Sequence, residues 1–169
     1  MCVGNDQRPA AVSPLGATSG TIFDGFQKPA CAELLGWTLL AHDAAKGWAK
    51  IAFEGLPAFL NPAGFIQGGL LTAMLDDSMG PALLLMTEGK SYSVTIDMHV
   101  SFLAPARPGR LIGEGQVLQL GKTIAFLEGL LRDGEGTLIA RAISSARVVP
   151  VGNLPGKSRE RSQAKTVAR

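Results

Sequence analysis

The chain has 169 residues, of which 46% are hydrophobic and 18% are charged, a composition typical of one globular domain and not of a disordered or fibrous protein. Aromatic residues make up only 6%, which argues against a surface that stacks nucleic-acid bases. No apolar run is long enough to predict a membrane helix. Residues 1–16 lack the basic start and apolar core of a secretory signal. We expect a cytoplasmic protein that binds neither nucleic acid nor membrane.

Charge and composition divide the chain into three parts. Residues 1–20 are rich in small and turn-forming residues and predict a flexible N-terminal lead. Residues 151–169 carry five basic residues and one acid, so this segment holds a charge of +4 within a net charge of +2. We expect it to be a basic flexible tail. The folded domain is then expected over residues 21–150.

The first half of that domain predicts a short helix, a hairpin and a long helix. Residues 29–35 favour a short helix with Pro29 in its first turn. Two strand-like runs, 37–41 and 48–53, are separated by a turn. In residues 64–88 apolar side chains recur at helical spacing, which predicts a long buried helix. Pro81 is expected to kink or divide that helix.

Four strands are predicted after the long helix. From residue 94 to residue 102 apolar and polar side chains alternate without a break, which predicts a half-buried strand with one apolar face. Three further runs, 110–120, 123–133 and 137–149, are joined by glycine-containing turns. One helix among six strands predicts an α+β fold in which an antiparallel sheet wraps around the helix. Because such a layer cannot cover both of its faces, we expect association with a second copy.

The start of the long helix is a candidate site for a developing negative charge. Gly68 and Gly69 fall where the helix begins, and the N–H groups of a first helical turn have no partner inside the helix. Such an amide can stabilise an oxyanion. The pair is also compatible with a plain entry turn. It lacks the lysine and hydroxyl of a phosphate loop and the spacing of a dinucleotide-binding motif.

Two adjacent acids, Asp76 and Asp77, lie in the middle of this apolar helix. Neighbouring side chains on a helix point about 100° apart, so one can face solvent while the other faces the packed side. A buried charge is costly unless it has partners. The acid on the packed side is therefore expected to be held by neighbouring groups or kept for chemistry.

The segment resembles the hotdog-fold acyl-CoA thioesterases of the PaaI-like group, within the 4-hydroxybenzoyl-CoA thioesterase superfamily. The resemblance covers about residues 34–149 and is carried by a glycine-rich motif and an acid seven to eight residues after its glycine pair. The matching positions are Asn61, Gly64, Gln67, Gly68, Gly69 and Asp76, followed by 94–98, 102–106, 121–123 and 138–140. The resemblance implies a hotdog fold and hydrolysis of an acyl-CoA thioester to free acid and CoA.

The resemblance also implies catalytic roles for three residues. Asp76 would act on the thioester as nucleophile or general base, and the residues alone do not choose between the two. The Gly68 amide would polarise the thioester carbonyl. Asn61 would hold the substrate or the attacking water. No cofactor and no metal are expected.

Three further positions are implied to bind substrate. These are Gln67, Gly69 and Thr95, with Thr95 supporting the catalytic carboxylate. The family's usual histidine before the glycine pair is Gln67 here. Glutamine can donate a hydrogen bond but carries no proton at neutral pH, so we expect activity to survive if the position only orients the carbonyl.

Spacing along the helix predicts that the site needs two subunits. Gly68 and Asp76 are eight residues apart, or about 12 Å along one helix, too far for both to contact one thioester carbon. In the family the helices of two subunits run antiparallel, so that Asp76 of one faces Gly68 of the other. We expect a homodimer with two such sites, and pairing of dimers into a homotetramer.

Three other functions are conceivable. Nucleic-acid binding through the basic tail has poor support, because one terminal cluster of charges comes without aromatic residues or a recognised motif. An acyl hydratase or dehydratase of this fold would use a histidine, and none occurs between Gly47 and Lys90. A non-catalytic protein that binds acyl-CoA or fatty acid stays open because Gln67 replaces the family histidine. The identity of the acyl chain, aromatic or aliphatic, is also left open.

Overall fold

The computed structural model describes residues 20–24 and 27–153. The predicted flexible lead and basic tail lie almost entirely outside these residues. The elements, in chain order, are α1 (Ala30–Leu34), β1 (Thr38–Asp43), β2 (Trp48–Gly55), a 3₁₀ turn (Pro57–Phe59), α2 (Gly68–Met86), β3 (Ser91–Phe102), β4 (Gly109–Leu120), β5 (Ile124–Asp133), β6 (Leu138–Pro150) and a second 3₁₀ turn (Val151–Asn153).

The six strands form one sheet in the order β1-β2-β4-β5-β6-β3, and every neighbouring pair is antiparallel. Helix α2 packs across one face of this sheet and contacts all six strands. The core lies between them and includes Met74, Leu75 and Leu83 of the helix. The predicted α+β fold, an antiparallel sheet around one long helix, is confirmed. No helix in the described ranges is long and apolar enough to cross a bilayer.

Glycines on β4 let the helix lie directly on the sheet backbone. A Cβ atom added to Gly115 would stand 2.0 Å from the main-chain oxygen of Ser78, and one added to Gly113 would stand 2.0 Å from the Ser78 hydroxyl. Both contacts are far shorter than any packed side chain allows. This close approach fixes the height of the middle of α2, and with it the position of the two acids, above the sheet.

A β-bulge changes which side chains of β3 face the helix. The pairing register with β6 shifts between Thr95 and Asp97, so Ile96 is the extra residue. Before the bulge Thr95 faces α2, and after it Met98 and Val100 pack against the core. The prediction of one continuous apolar face is therefore wrong, since Ile96 is 58% exposed.

Helix α2 runs through Pro81 as one continuous element, so of the two effects expected of this proline, division of the helix is wrong. Proline cannot donate to the carbonyl four residues earlier, which belongs to Asp77. The indole Nε1 of Trp37 donates to that oxygen instead, at 3.2 Å. A second correction concerns Pro29, which is the N-cap of α1 and not a residue of its first turn.

Candidate active site

Asp76 lies in the middle of α2, on the side of the helix that faces β3. The Thr95 hydroxyl donates a hydrogen bond to its Oδ1 at 2.7 Å. Its Oδ2 makes no hydrogen bond with the part of the chain that the structure describes. The bulge at Ile96 is what brings Thr95 to this position. One carboxylate oxygen is thus fixed while the other is available to a substrate or a water molecule.

Asp77 is the more buried of the two acids. Its Oδ2 is shielded from solvent and has no hydrogen-bond partner among the described residues. Burial, and to a lesser extent the negative charge of Asp76, raise the pKa of Asp77 from 3.8 to about 6. The acid on the packed side of the helix is therefore Asp77. Of the two alternatives predicted for it, a carboxylate held by neighbouring groups is wrong for Oδ2, and a role in chemistry stays a prediction.

A cavity of about 390 Å³ opens beside the two acids. Asp76, Asp77 and Thr95 lie in one wall of it. Its lining is otherwise mainly apolar and includes three aromatic side chains, from Phe23, Trp37 and Tyr92. Burial, and then the charges of Asp76 and Asp77, raise the pKa of Tyr92. A mostly apolar cavity with a few polar groups on one wall is a common form of small-molecule site.

The first turn of α2 presents a free backbone donor. Gln67 is the N-cap, and its Oε1 accepts a hydrogen bond from the Gly69 N–H. The Gly68 N–H makes no hydrogen bond within the described chain, which leaves it available to an acceptor from outside. The ring of Phe102 lies beside it, because a Cβ atom added to Gly68 would be 3.1 Å from Phe102 Cζ.

Asn61 shapes the loop that leads into α2. Its side-chain Oδ1 accepts hydrogen bonds from the main-chain N–H groups of Ala63 (2.9 Å) and Phe65 (3.2 Å). Its own main-chain N–H donates to the Phe65 oxygen at 2.8 Å. The side-chain amide nitrogen is left free by these contacts. Asn61 therefore holds the loop, and only its Nδ2 group is available to a ligand.

The structure brings some of the predicted site residues together and keeps others apart. Asp76 and Thr95 share the cavity wall, whereas Asn61, Gln67 and the two helix-start glycines are not among the lining residues. Asp76 follows Gly68 by eight residues of a continuous helix, which is about 12 Å. Within one chain, the Asp76 carboxylate and the free Gly68 amide are therefore too far apart to contact the same atom.

The cavity contains residues to which sequence reasoning gave no functional weight. The sequence predicts Trp37 only as the start of a strand, and it predicts no role for Tyr92. Pro81 is predicted to kink or divide the helix, yet it also lines the cavity. The signal that could have pointed to this region is the proline four residues after Asp77, because the freed carbonyl must find another donor.

The sequence model of the Thioesterase superfamily matches residues 63–140. The solved structure of a phenylacetic acid degradation-related protein from Ralstonia eutropha JMP134, described as a thioesterase, is 33% identical to this chain. The match covers 72% of this chain and 92% of that protein, with a TM-score of 0.69. The chain belongs to the thioesterase superfamily. The resemblance seen in the sequence is confirmed, and so is the enzyme class, a thioester hydrolase.

Two further proteins are similar to this chain. Human acyl-coenzyme A thioesterase 13 is 37% identical over 83 residues, which are 48% of this chain and 59% of that protein. The chain therefore matches little more than half the length of that relative. The E. coli PaaI protein, at 21% identity, superimposes with a TM-score of 0.65 over 72% of this chain and 85% of its own. At that identity the likeness supports the fold alone.

Proposed function

We propose that this thioesterase hydrolyses acyl-CoA thioesters to free acid and CoA at two sites in a homodimer. In each site Asp76 of one subunit acts on the thioester carbon. The Gly68 N–H of the other subunit donates a hydrogen bond to the carbonyl oxygen, on which negative charge develops. The observation that carries this proposal is the free Gly68 amide, separated along one helix from a carboxylate already oriented by Thr95.

Two features of β3 support a site at a subunit boundary. β3 is the last strand of the sheet, and its outer edge has no partner strand within the described residues. Val94 and Ile96, beside Thr95, are 44% and 58% exposed. An exposed apolar edge strand is suited to pairing with another chain. Thr95 and Asp76 lie next to this edge, so a second subunit docked there would place its own groups near the carboxylate.

Apolar side chains on the opposite face of the sheet support pairing of dimers. Phe126 and Ile143, on β5 and β6, are 49% and 50% exposed. They alternate with residues that face the helix, so they lie on the side of the sheet that α2 leaves uncovered. We propose a homotetramer on this basis. Cytoplasmic location stays a prediction from the sequence.

The remaining residues have supporting roles in the proposal. Gln67 orients the first turn of α2 by accepting from the Gly69 N–H, which leaves the Gly68 N–H as the donor for the carbonyl. The Nδ2 group of Asn61 is placed to hold the substrate or a water molecule. Thr95 keeps Asp76 in one orientation.

Two routes share this geometry. In one, Asp76 accepts a proton from water, the water oxygen adds to the thioester carbon, and collapse of the tetrahedral intermediate breaks the C–S bond. The CoA thiolate then takes the proton back from Asp76. In the other, Asp76 itself attacks, CoA leaves, and water hydrolyses the resulting anhydride. Neither route needs a metal or a cofactor.

The direct test measures thiol release from a panel of CoA thioesters with a thiol reagent. We expect release of CoA from at least one of phenylacetyl-, benzoyl-, octanoyl- and decanoyl-CoA. The alternative, a non-catalytic acyl-CoA-binding protein, follows from Gln67 replacing histidine. It predicts calorimetric binding of the same thioesters with no thiol release.

A further inference from the structure

The cavity beside the acids follows the line of contact between α2 and β3. At one point on this line the Thr95 hydroxyl donates to Asp76. One turn further along α2, a Cβ atom added to Gly80 would stand 3.5 Å from the Oγ atom of Ser93. All four residues line the cavity. Because α2 advances by four residues while β3 steps back by two, the two elements run in opposite directions along this wall.

The wall continues away from the acids to Leu84 and Val151, which also line the cavity. Leu84 is eight residues after Asp76 in the same helix, which is about 12 Å along the axis. The Val151 N–H donates to the main-chain oxygen of Lys90 at 3.0 Å, directly before β3 begins at Ser91. The wall therefore has the Asp76 carboxylate towards one end and apolar side chains towards the other.

Gly80 leaves the middle of this wall without a side chain. Apart from its chain neighbours and the helix backbone, Ser93 Oγ is the one atom of the described residues within 4 Å of the added Cβ. The glycines of β4 differ, because a Cβ at Gly113 or Gly115 would collide with Ser78. Close packing therefore does not require glycine at position 80, and a helix interior favours alanine over glycine. A side chain at this position would instead occupy the cavity.

We propose, on the basis of the proposed acyl-CoA hydrolysis, that this cavity holds the acyl chain and that Gly80 keeps it open to long chains. The chain runs from the thioester at Asp76 past Gly80 towards Leu84. An extended alkyl chain advances about 1.25 Å per carbon, given its bond lengths and angles. Gly80 is about 6 Å along the helix from Asp76, level with about the fifth carbon, and Leu84 is level with about the tenth.

An alkyl chain suits the lining better than the pantetheine arm of CoA does. The lining is mainly apolar, and the two amides of pantetheine would lose their hydration there. The Lys28 ammonium, which also lines the cavity, already donates to the Trp37 main-chain oxygen at 2.8 Å. The volume of about 390 Å³ exceeds the roughly 150 Å³ that is enough to hold benzene, so the space accommodates more than one ring.

The experiment measures kcat/KM for butanoyl-, decanoyl- and tetradecanoyl-CoA. Each buried methylene favours the longer substrate about threefold to fourfold, so the wild-type protein should prefer decanoyl- over butanoyl-CoA by about 100-fold or more. Tetradecanoyl-CoA should gain nothing further, because its last carbons extend beyond Leu84. In Gly80→Leu the preference for decanoyl-CoA should fall about 10-fold or more, since the butanoyl chain ends before this position.

Two further variants support the comparison. Gly80→Ala is the matched control, because it adds a Cβ in ordinary contact with Ser93 Oγ and leaves most of the cavity open. Its preference for decanoyl-CoA should lie between those of the wild type and Gly80→Leu. Leu84→Ala changes the far end independently and should raise kcat/KM for tetradecanoyl-CoA relative to decanoyl-CoA. Circular dichroism and light scattering check that each variant keeps its fold and assembly.

Three outcomes would overturn the inference. These are no preference for decanoyl-CoA in the wild type, unchanged length profiles in both Gly80→Leu and Leu84→Ala, or equal losses for butanoyl- and decanoyl-CoA in Gly80→Leu. The last result would place the CoA arm in the cavity.

Binding separates this inference from the proposed hydrolysis. Butanoyl- and decanoyl-CoA should be titrated calorimetrically into Asp76→Asn protein, with Asp76→Asn/Gly80→Leu as the matched control. We expect tighter binding of decanoyl-CoA only where Gly80 is present. The same result in a protein that releases no thiol even as wild type would sink the proposed hydrolysis and keep the place of the acyl chain.

Discussion

The indole nitrogen of Trp37 lies 3.2 Å from the main-chain oxygen of Asp77 and donates a hydrogen bond to it. Pro81 cannot donate to this oxygen, because proline has no main-chain N–H. This contact ties the segment before β1 to the middle of α2, at the wall of the cavity. Replacing the tryptophan with phenylalanine keeps a ring but leaves the carbonyl without a donor. We expect Trp37→Phe to lower the free energy of unfolding by about 1 to 3 kcal/mol, measured by urea denaturation.

The matched control uses the proline. Pro81→Ala restores a main-chain N–H that can donate to the Asp77 oxygen within the helix. In that background Trp37→Phe should cost clearly less than in the wild type, and the double-mutant cycle should show a coupling of about 1 kcal/mol. Equal costs in both backgrounds would mean that the tryptophan contributes through packing alone.

The choice of catalytic acid is tested by Asp76→Asn. Asparagine keeps the shape and can still contact Thr95, but it can neither attack nor accept a proton from water. We expect kcat to fall about 10²- to 10⁴-fold in the thiol-release assay, with normal stability. The same substitution at Asp43, the last residue of β1, should leave turnover unchanged. Asp77→Asn should lose far less than Asp76→Asn; equal losses would show that the wrong acid was chosen.

Gln67 has a structural role that a histidine could share. Its side-chain oxygen caps α2 through the Gly69 N–H, so Gln67→Ala should lower the free energy of unfolding by about 1 kcal/mol. Gln67→His should preserve or raise turnover, because the position orients the helix start and need not carry a proton. An inactive Gln67→His protein with an intact fold would contradict this view of the position.

The buried position of Asp77 predicts how stability changes with pH. Its pKa of about 6 in the folded protein exceeds the ordinary value of 3.8, so the folded state holds the proton more tightly than the unfolded state. As pH rises from about 4 to above 6, folding must accommodate a poorly solvated charge, and the free energy of unfolding falls. Allowing for partial exposure, the loss is on the order of 1 to 2 kcal/mol.

Asp77→Asn isolates this contribution from the other ionisable side chains that line the cavity, which are Asp76, Tyr92 and Lys28. The stability of the variant relative to wild type should become more favourable as pH rises from 4 to 7.5. Urea denaturation at several pH values and constant protein concentration measures this difference. Parallel curves for the two proteins would show that Asp77 is solvated well enough to ionise normally.

The sequence predicted the elements and the sheet because those depend on local periodicity. The apolar spacing around Met74 and Leu83 placed α2 within a few residues. The cavity could not be predicted in the same way, because it depends on a bulge at Ile96 and on Trp37 reaching α2 from 40 residues away. The bulge changes which face of the sheet the later side chains point to, but apolar and polar residues still alternate in the sequence. Residues 94–102 therefore carry no signal of the bulge.

The two acids show the same limit. Helical geometry predicted that one would face the packed side, but only tertiary contacts decide which one. The structure places Asp77 there and gives Asp76 the Thr95 hydroxyl. The family resemblance selects Asp76 as the catalytic acid from its spacing after Gly68. Burial alone would have selected Asp77.

The proposed donor can be removed without breaking the helix. Gly68 is the first residue of α2, a position that accepts proline, and Gln67 has the extended conformation that a following proline requires. Gly68→Pro therefore deletes the N–H. Gly68→Ala is the matched control, because its Cβ meets Phe102 in the same way but the N–H stays. We expect kcat to fall about 10²- to 10³-fold in the proline variant and far less in the alanine variant.

Mixing two inactive variants tests whether the site is shared. A dimer of one Asp76→Asn subunit and one Gly68→Pro subunit has both defects in one composite site and none in the other. Unfolding and refolding an equal mixture gives such dimers half of the time, so activity should return to roughly a quarter of wild type. If each site used Asp76 and Gly68 of the same subunit, every site would carry one defect and the mixture would stay inactive. Light scattering on the same samples must show dimers or larger assemblies, since an active monomer would contradict the shared site outright.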